Sequence, residues 1–229
     1  MLPLGKRHTD REYESELGQV RERLLLMAGR VEEMIADAIR AVGERDPELA
    51  RRTIASDAKV NRTEVETDEL CLRVLARRHP LASDLRFITL SLKMVTDLER
   101  IGDLAVNICE RAIDLAGEHR LEGFDALNHM AGLVQTMVHD AIDAFVNSDA
   151  ELAQAVIDRD DEVDEAYHVY YRAVLAGMTR DPATIERGIH VQSVAKWLER
   201  IGDHATNLAE LVIFMVKGTD VRHLGKLDT

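Results

Sequence analysis

The chain has 229 residues, 46% of them hydrophobic, which is long and apolar enough to bury a sizeable core and excludes a largely disordered chain. Only four prolines and 4% aromatic residues accompany this content, a balance typical of an all-α protein. The formal net charge of -13 excludes non-specific binding to nucleic acid, which needs clustered Lys and Arg. A cation or a basic protein surface is the expected partner.

Helix breakers divide the first half of the chain into three predicted helices. Asp46-Pro47 ends one helix and begins the next, because Asp caps a helix N-terminus and Pro is tolerated in a first turn. His79-Pro80 stops the second helix, since Pro cannot continue it. The predicted helices run from about Asp10 to the first break, from there to Arg78, and from about Ser83 to about Ala116.

The second half shows the same pattern of breakers. Ser148-Asp149 and Asp181-Pro182 separate its helices, and Gly218 is the final stop. The predicted helices run from about Phe124 to Asn147, from Ala150 to Met178, and from Pro182 to Val216.

The two halves are copies of one unit. Met137 follows Met34 at an offset of 103, and an offset of 100 then relates the stretch Leu-Glu-Arg-Ile-Gly-Asp at Leu98 to the same stretch at Leu198. Such extended agreement indicates an internal duplication. We therefore predict two tandem antiparallel three-helix bundles, with domain boundaries at 1–118 and 119–229.

Each copy of this stretch carries a ladder of carboxylates. Glu99 and Asp103 are four residues apart on one helix face, and Glu199 and Asp203 repeat them. Like charges at this spacing cost about 0.2–0.5 kcal/mol, and the enclosed glycine of each copy costs about 1 kcal/mol relative to alanine. Divalent or trivalent cations would offset the repulsion. Arg100 follows Glu99 directly, so we expect it to point away and to serve another contact.

The second helix of each copy offers matching oxygen ligands. Asp57 and Asn61 begin this stripe in the first copy, and Asp160 and Asp164 are their counterparts in the second. If the second and third helices are neighbours, each copy has two facing pairs of ligands for a metal such as Mg, Mn, Fe or Zn. We expect these ligands at the surface or rim of each bundle.

Two other interpretations stay open at this point. Acidic helix faces are commonly solvated and hold no metal. A ferritin-like di-metal enzyme needs Glu-x-x-His on two helices, and Glu165-x-x-His168 is the sole candidate on a predicted helix. His204, beside Asp203, is a possible extra ligand, but Leu104 replaces it in the first copy. The sequence has no Walker loop, Gly-x-Ser-x-Gly or HExxH motif.

The cysteines and the N-terminus bear on location. Cys71 and Cys109 have no CxxC spacing, so we expect reduced, packed thiols. The apolar stretch from Leu211 to Val216 is far shorter than the roughly 18–20 residues that span a bilayer, and the N-terminus lacks the apolar region of a signal peptide. The expected location is cytoplasmic, without direct membrane insertion.

The sequence resembles the PhoU family of phosphate-uptake regulators over nearly its whole length. The resemblance rests on the duplicated Leu-Glu-Arg-Ile-Gly-Asp-x-Ala-x-Asn, on Pro80-x-x-x-Asp84-Leu85-Arg86, and on Asp-x-x-Val-Asn/Asp at Asp57 and Asp160. It implies two three-helix bundles that bind metal ions or multinuclear metal clusters. It also implies an adaptor without catalytic activity that bridges the ATPase subunit of a phosphate ABC transporter and a sensor histidine kinase. Such a protein negatively regulates the phosphate-starvation response.

The resemblance also implies two ligand sets. The sequence leaves the oligomeric state open, and we expect a homodimer. The ligands of the first site are Glu99 and Asp103 with Asp57, and those of the second are Glu199, Asp203, Asp160 and Asp164. Asn61 is a neutral, weaker ligand where the second copy has Asp164, so we expect the second site to bind metal more tightly.

Overall fold

The first bundle consists of three long helices. The computed structural model describes residues 5–80, 82–118 and 124–219, and no strand occurs within these ranges. Helix α1 spans Gly5–Glu44, α2 spans Pro47–Arg78 and α3 spans Ala82–Leu115. The predicted breaks after the first and second helices are confirmed.

The second bundle has one more break than we predicted. Its helices are α4 (Phe124–Asn147), α5 (Ala150–Asp158), α6 (Asp160–Arg180) and α7 (Ile185–Lys217), and a 3₁₀ turn, Pro182–Thr184, precedes α7. The single helix predicted from Ala150 to Met178 is therefore wrong at Arg159. There the backbone N–H bonds to the carbonyl of Val156, three residues back, and the guanidinium lies 2.7 Å from Oδ2 of Asp140 on α4. This tertiary contact accompanies a tightened turn that separates α5 from α6.

The same turn joins the first two helices of each bundle. Asp46 and Asp149 cap α2 and α5, because the Oδ1 of each accepts hydrogen bonds from the backbone N–H groups two and three residues later. The preceding residues, Arg45 and Ser148, both have a positive φ, of 59° and 53°. The repeat therefore extends to the backbone conformation of the turn between the first and second helices.

The third helix of each bundle forms the centre of the molecule. α3 packs against α1 and α2, α7 packs against α4, α5 and α6, and α3 and α7 also pack against each other. Among the described residues, the second contact between bundles joins α1 to α4. The inward faces of α3 and α7 are fully buried at equivalent positions, such as Ile101 and Ile201. The architecture is all-α, with two antiparallel three-helix bundles side by side.

Polar contacts across the bundle interface use histidines. Nδ1 of His204 on α7 lies 2.9 Å from Oδ1 of Asp97 on α3, and Nδ1 of His139 on α4 lies 3.0 Å from Oε1 of Glu32 on α1. Cys71 and Cys109 are buried free thiols, as expected. None of the described helices is long and apolar enough to cross a membrane.

Candidate metal-binding clusters

The first cluster consists of Asp57 and Asn61 on α2 and Glu99 and Asp103 on α3, which are neighbouring helices. Asp57 lies opposite the helical Gly102, where an added Cβ would be 3.5 Å from its Oδ1. The Nδ2 of Asn61 donates a hydrogen bond of 2.8 Å to Oδ2 of Asp57. The two helices thus bring the predicted ligands of the first copy onto one shared surface.

Burial and mutual repulsion raise the pKa of two carboxyl groups in the first cluster. Burial raises the pKa of Asp57, and the charge of Asp103 raises it further, while the Asn61 hydrogen bond acts in the opposite direction. Burial likewise raises the pKa of Glu99, with Asp103 as the next cause. The surroundings of both carboxyl groups disfavour the charged form, whereas a bound cation would favour the charged form.

One oxygen of the first cluster has no partner. Oδ1 of Asp57 is buried and accepts no hydrogen bond, although its other oxygen is satisfied by Asn61. Buried polar atoms without a partner are uncommon, and such an oxygen is a candidate ligand for an ion. Because this oxygen belongs to a carboxylate and has no partner, the donor chemistry fits a hard cation bound there.

Arg100 does not point away as we expected. Its Nε lies 3.5 Å from Oε2 of Glu99 and its Nη1 lies 3.3 Å from Oδ2 of Asp103. Arg100 therefore pairs with both carboxylates of the first ladder. The i+3 spacing to Asp103 makes this contact possible, which the expectation from i+1 neglected. Its side chain is 57% exposed, so the pairing contributes little energy in water.

The second cluster consists of Asp160 and Asp164 on α6 and Glu199 and Asp203 on α7. Asp160 lies opposite Gly202, where an added Cβ would be 3.7 Å from its Oδ1. This repeats the relation of Asp57 to Gly102. The predicted ligands of the second copy therefore also share one pair of adjacent helices.

Burial and like charges also raise the pKa of two carboxyl groups in the second cluster. Burial raises the pKa of Asp160 to about 6, and the charges of Asp203 and Asp164 add to the effect. Burial also raises the pKa of Asp203, followed by the charge of Glu199. A cation would relieve this repulsion.

A lysine already occupies part of the second cluster. Nζ of Lys196 donates to both carboxylate oxygens of Glu199, each at 2.6 Å, and lies 5.3 Å from the ring centroid of Tyr167. Lys196 was missed in the sequence, although its position three residues before Glu199 was a usable signal. Any cation that binds Glu199 must compete with this ammonium group.

The remaining candidates from the sequence lie elsewhere. His204 contacts Asp97 across the bundle interface, and Glu165, 70% exposed, has its nearest cationic partner, Arg172, at 3.7 Å. His168 is exposed and packs beside the ring of Tyr167. This arrangement lacks the paired Glu-x-x-His helices of a di-iron enzyme.

The side chains of each cluster do not converge on a single metal position. In the part of the chain that the structure describes, no three His, Cys, Asp or Glu side chains are grouped closely enough to hold a metal ion. Glu99 is 17% exposed and Asp103 is 44% exposed, which places the first cluster at the rim of its bundle. A cation at either cluster would therefore require its carboxylate side chains to rotate.

Known proteins resemble this chain over nearly its full length. The family model described as PhoU domain matches residues 24–112 and 127–212. The phosphate-specific transport system accessory protein PhoU homolog of Pseudomonas putida is 45% identical over 219 residues, which cover 95% of this chain and 86% of that protein. The accessory protein PhoU of Escherichia coli K12 is 36% identical over 224 residues, covering 98% of this chain and 92% of that protein.

Two solved structures have the same fold. The crystal structure of PhoU from Pseudomonas aeruginosa superposes with a TM-score of 0.88 at 44% identity, covering 90% of this chain and 100% of that one. The phosphate transport system regulatory protein PhoU from Streptococcus pneumoniae superposes with a TM-score of 0.85 at 27% identity, covering 91% of this chain and 99% of that one.

Proposed function

Because the chain belongs to the PhoU family, we propose that it is a regulatory accessory protein of a phosphate transport system and acts without catalysing a reaction. The observation that carries this proposal is the full-length match to accessory proteins of phosphate transport, which includes both bundles.

We further propose that the two clusters bind divalent or trivalent metal ions, singly or as multinuclear clusters. In the first cluster Asp57, Glu99 and Asp103 would hold the ion, with the Asn61 amide oxygen as a weaker ligand. The unpartnered Oδ1 of Asp57 supports this assignment. A bound cation would neutralise carboxylates that face one another from α2 and α3 and so hold these helices together.

In the second cluster, Asp160, Asp164, Glu199 and Asp203 would be the ligands. The raised pKa of Asp160, about 6, supports the assignment, because a bound cation offsets the like-charge repulsion that contributes to it. Lys196 must leave Glu199 before that carboxylate can bind a metal. Fe, Zn, Mg and Mn all accept such oxygen ligands, so the proposal extends to this group of metals.

The proposed partners are those implied by the family resemblance. The protein would bridge the ATPase subunit of a phosphate ABC transporter and a sensor histidine kinase, and it would restrain the phosphate-starvation response when phosphate is plentiful. It would do so in the cytoplasm and as a homodimer. The net charge of -13 supports a protein or metal partner rather than nucleic acid.

The metal proposal is tested by elemental analysis of protein purified without chelator. The double variant Glu199→Gln with Asp203→Asn should lose the metal of one cluster. The matched control is Glu151→Gln with Asp158→Asn, which removes two exposed carboxylates of the same bundle outside the cluster. Unchanged metal content in the first variant, or equal loss in both, would contradict the assignment.

The regulatory proposal is tested in the source bacterium. Deletion of the gene should switch on phosphate-starvation genes in phosphate-rich medium, and the wild-type gene should restore repression. Co-purification should recover the transporter ATPase subunit and the histidine kinase. A deletion strain with unchanged phosphate uptake and gene expression would contradict the proposal, whatever metal the protein holds.

A further inference from the structure

A groove runs between α1 and α2 of the first bundle and carries four basic side chains. It has a volume of about 570 Å³, and its basic lining residues are Arg23 and Arg30 on α1 and Lys59 and Arg62 on α2. Glu22 and Glu66 also line it, which leaves two more positive than negative charges. This groove lies apart from the carboxylate ladder of α3, and nothing in the proposed function uses it.

Hydrogen bonds hold two of the four cations of the groove in place, but no carboxylate in the described part of the chain neutralises any of the four. Nη1 of Arg23 donates to the backbone carbonyl of Glu66, and Nη1 of Arg30 donates to Oγ1 of Thr63 at 2.7 Å and to the carbonyl of Lys59 at 3.2 Å. Among the described residues, none of the four basic side chains of the groove lies within 4.0 Å of a carboxylate oxygen. The chain has 42 acidic and 29 basic residues, so four cations left unpaired in one groove indicate an external anion.

The second copy shows that the fold does not require this charge. With the offset of 103, the positions equivalent to the four basic residues are Ala126, Leu133, Glu162 and Glu165. None is basic and two are acidic. The basic groove is therefore a property of the first bundle alone.

The shape of the groove favours a polypeptide over a small anion. Its lining residues on α1 extend from Gln19 to Arg30, about 16 Å of helix at 1.5 Å per residue. Leu26, which lies between the two arginines, is 51% exposed. Small-molecule sites bury most of the ligand surface, whereas an elongated open groove with alternating charge and an apolar side chain suits an amphipathic segment.

We propose that this groove binds an acidic segment of a partner protein. Carboxylates of the segment would pair with the guanidinium groups of Arg23, Arg30 and Arg62. A planar guanidinium group can donate two parallel hydrogen bonds to one carboxylate. An apolar side chain of the segment would cover Leu26. None of the residues that line the groove is a proposed metal ligand, so either proposal can fail without the other.

The test is fluorescence anisotropy with the full-length protein and a labelled synthetic peptide of about 15 residues, glutamate with leucine at helical spacing. Binding should weaken as NaCl rises, because exposed ion pairs are screened. Lys59→Glu with Arg62→Glu should weaken binding roughly tenfold or more, since two attractions become repulsions. Lys59→Gln with Arg62→Gln, which only removes the charges, should weaken it less.

The matched control is Arg73→Glu with Arg77→Glu, on the same helix and with the same change of net charge but outside the groove. It should leave the affinity within about twofold, as surface changes away from a contact usually do. An equal loss in both double variants would show a response to net charge alone and would overturn the proposal. Absence of peptide binding at low salt would overturn it too, as would competition by inorganic phosphate or by phosphatidylglycerol vesicles but not by unlabelled peptide.

Discussion

The two clusters occupy equivalent positions in the repeat but differ in the charges that face them. In both, the first aspartate of the ligand set, Asp57 or Asp160, lies opposite a glycine of the third helix. In the first cluster, an arginine pairs with both rungs of the ladder, whereas in the second, Lys196 holds Glu199 alone. The position of the aspartate opposite the glycine repeats while the electrostatics do not, so the two clusters should respond differently to pH and to cations.

The cores provide the baseline for this comparison and the largest expected effect. Ile101→Ala and Ile201→Ala each empty a fully buried position of the third helix, and each should lower the free energy of unfolding by about 2–5 kcal/mol. Urea unfolding followed by circular dichroism measures both. If one variant loses less than about 1 kcal/mol, the two bundles are not packed equivalently.

The pH dependence of stability should separate the clusters. The pKa of Asp160 in the folded protein is about 6, above the 3.8 of an unperturbed aspartate, so the folded state binds more protons between these values. The free energy of unfolding should therefore fall as pH rises from about 4 to above 6. Asp160→Asn should be more stable than wild type at pH 7 by about 1 kcal/mol, after discounting for solvent screening, and the difference should shrink toward pH 4.

The control for this prediction is Asp57→Asn in the first cluster. Its gain should be smaller, because the Asn61 hydrogen bond lowers the pKa of Asp57 and Asp103 alone opposes it by charge. Both variants are measured by urea unfolding in chelator, so that no metal contributes. A pH-independent difference for Asp160→Asn would contradict the sign given above.

Exchanging the lysine should shift cation affinity between clusters. Lys196→Met removes the ammonium group that occupies Glu199, and Thr96→Lys introduces one at the equivalent position of the first copy. We expect Mn²⁺ affinity to rise about twofold to fivefold at the second cluster and to fall by a similar factor at the first, the size of an exposed ion pair. Calorimetry on variants with the opposite cluster inactivated separates the two.

The outcome also bears on the expectation that the second site is tighter because Asp164 replaces Asn61. If Lys196→Met leaves the Mn²⁺ affinity unchanged, the ammonium group does not compete with the metal. The difference between the clusters would then rest on Asp164 and on the pairing of Arg100 in the first cluster.

The smallest effect concerns the glycines of the ladders. An added Cβ at Gly102 or Gly202 has its nearest neighbours at 3.5 Å, which is ordinary contact. Helix propensity should therefore prevail, and Gly102→Ala and Gly202→Ala should each raise the free energy of unfolding by up to about 1 kcal/mol. If Oδ1 of Asp57 binds a metal, Gly102→Ala should weaken metal binding while it stabilises the apoprotein. A destabilised apoprotein in thermal unfolding would show that the glycines are required by packing.

The sequence predicted the features that depend on local chemistry. Asp46 and Asp149 cap helices where expected, and His79-Pro80 ends α2, since these signals act within a few residues. The repeat placed the ladders beside the second helices because equivalent residues in a duplicated unit occupy equivalent positions.

What the sequence did not predict depends on distant partners and on rotamers. The break at Arg159 has no Pro or Gly to mark it, and its contact with Asp140 exists only once α4 and α5 pack together. The pairing of Arg100 and Lys196 with ladder carboxylates depends on which rotamer each long side chain adopts. The basic groove was also missed, because its residues are scattered over two helices.

The contacts between bundles join like to like: α3 meets α7, and α1 meets α4. This is the geometry of an isologous dimer, realised within a single polypeptide. In a dimer of identical subunits every surface occurs twice, so a substitution in one subunit also changes the equivalent surface of the other. Fusion removes that constraint: Asp97 and His204 contact each other, while the positions related to them by the repeat are Trp197 and Leu104. One chain with twofold architecture can thus present two chemically different sides to two different proteins at once.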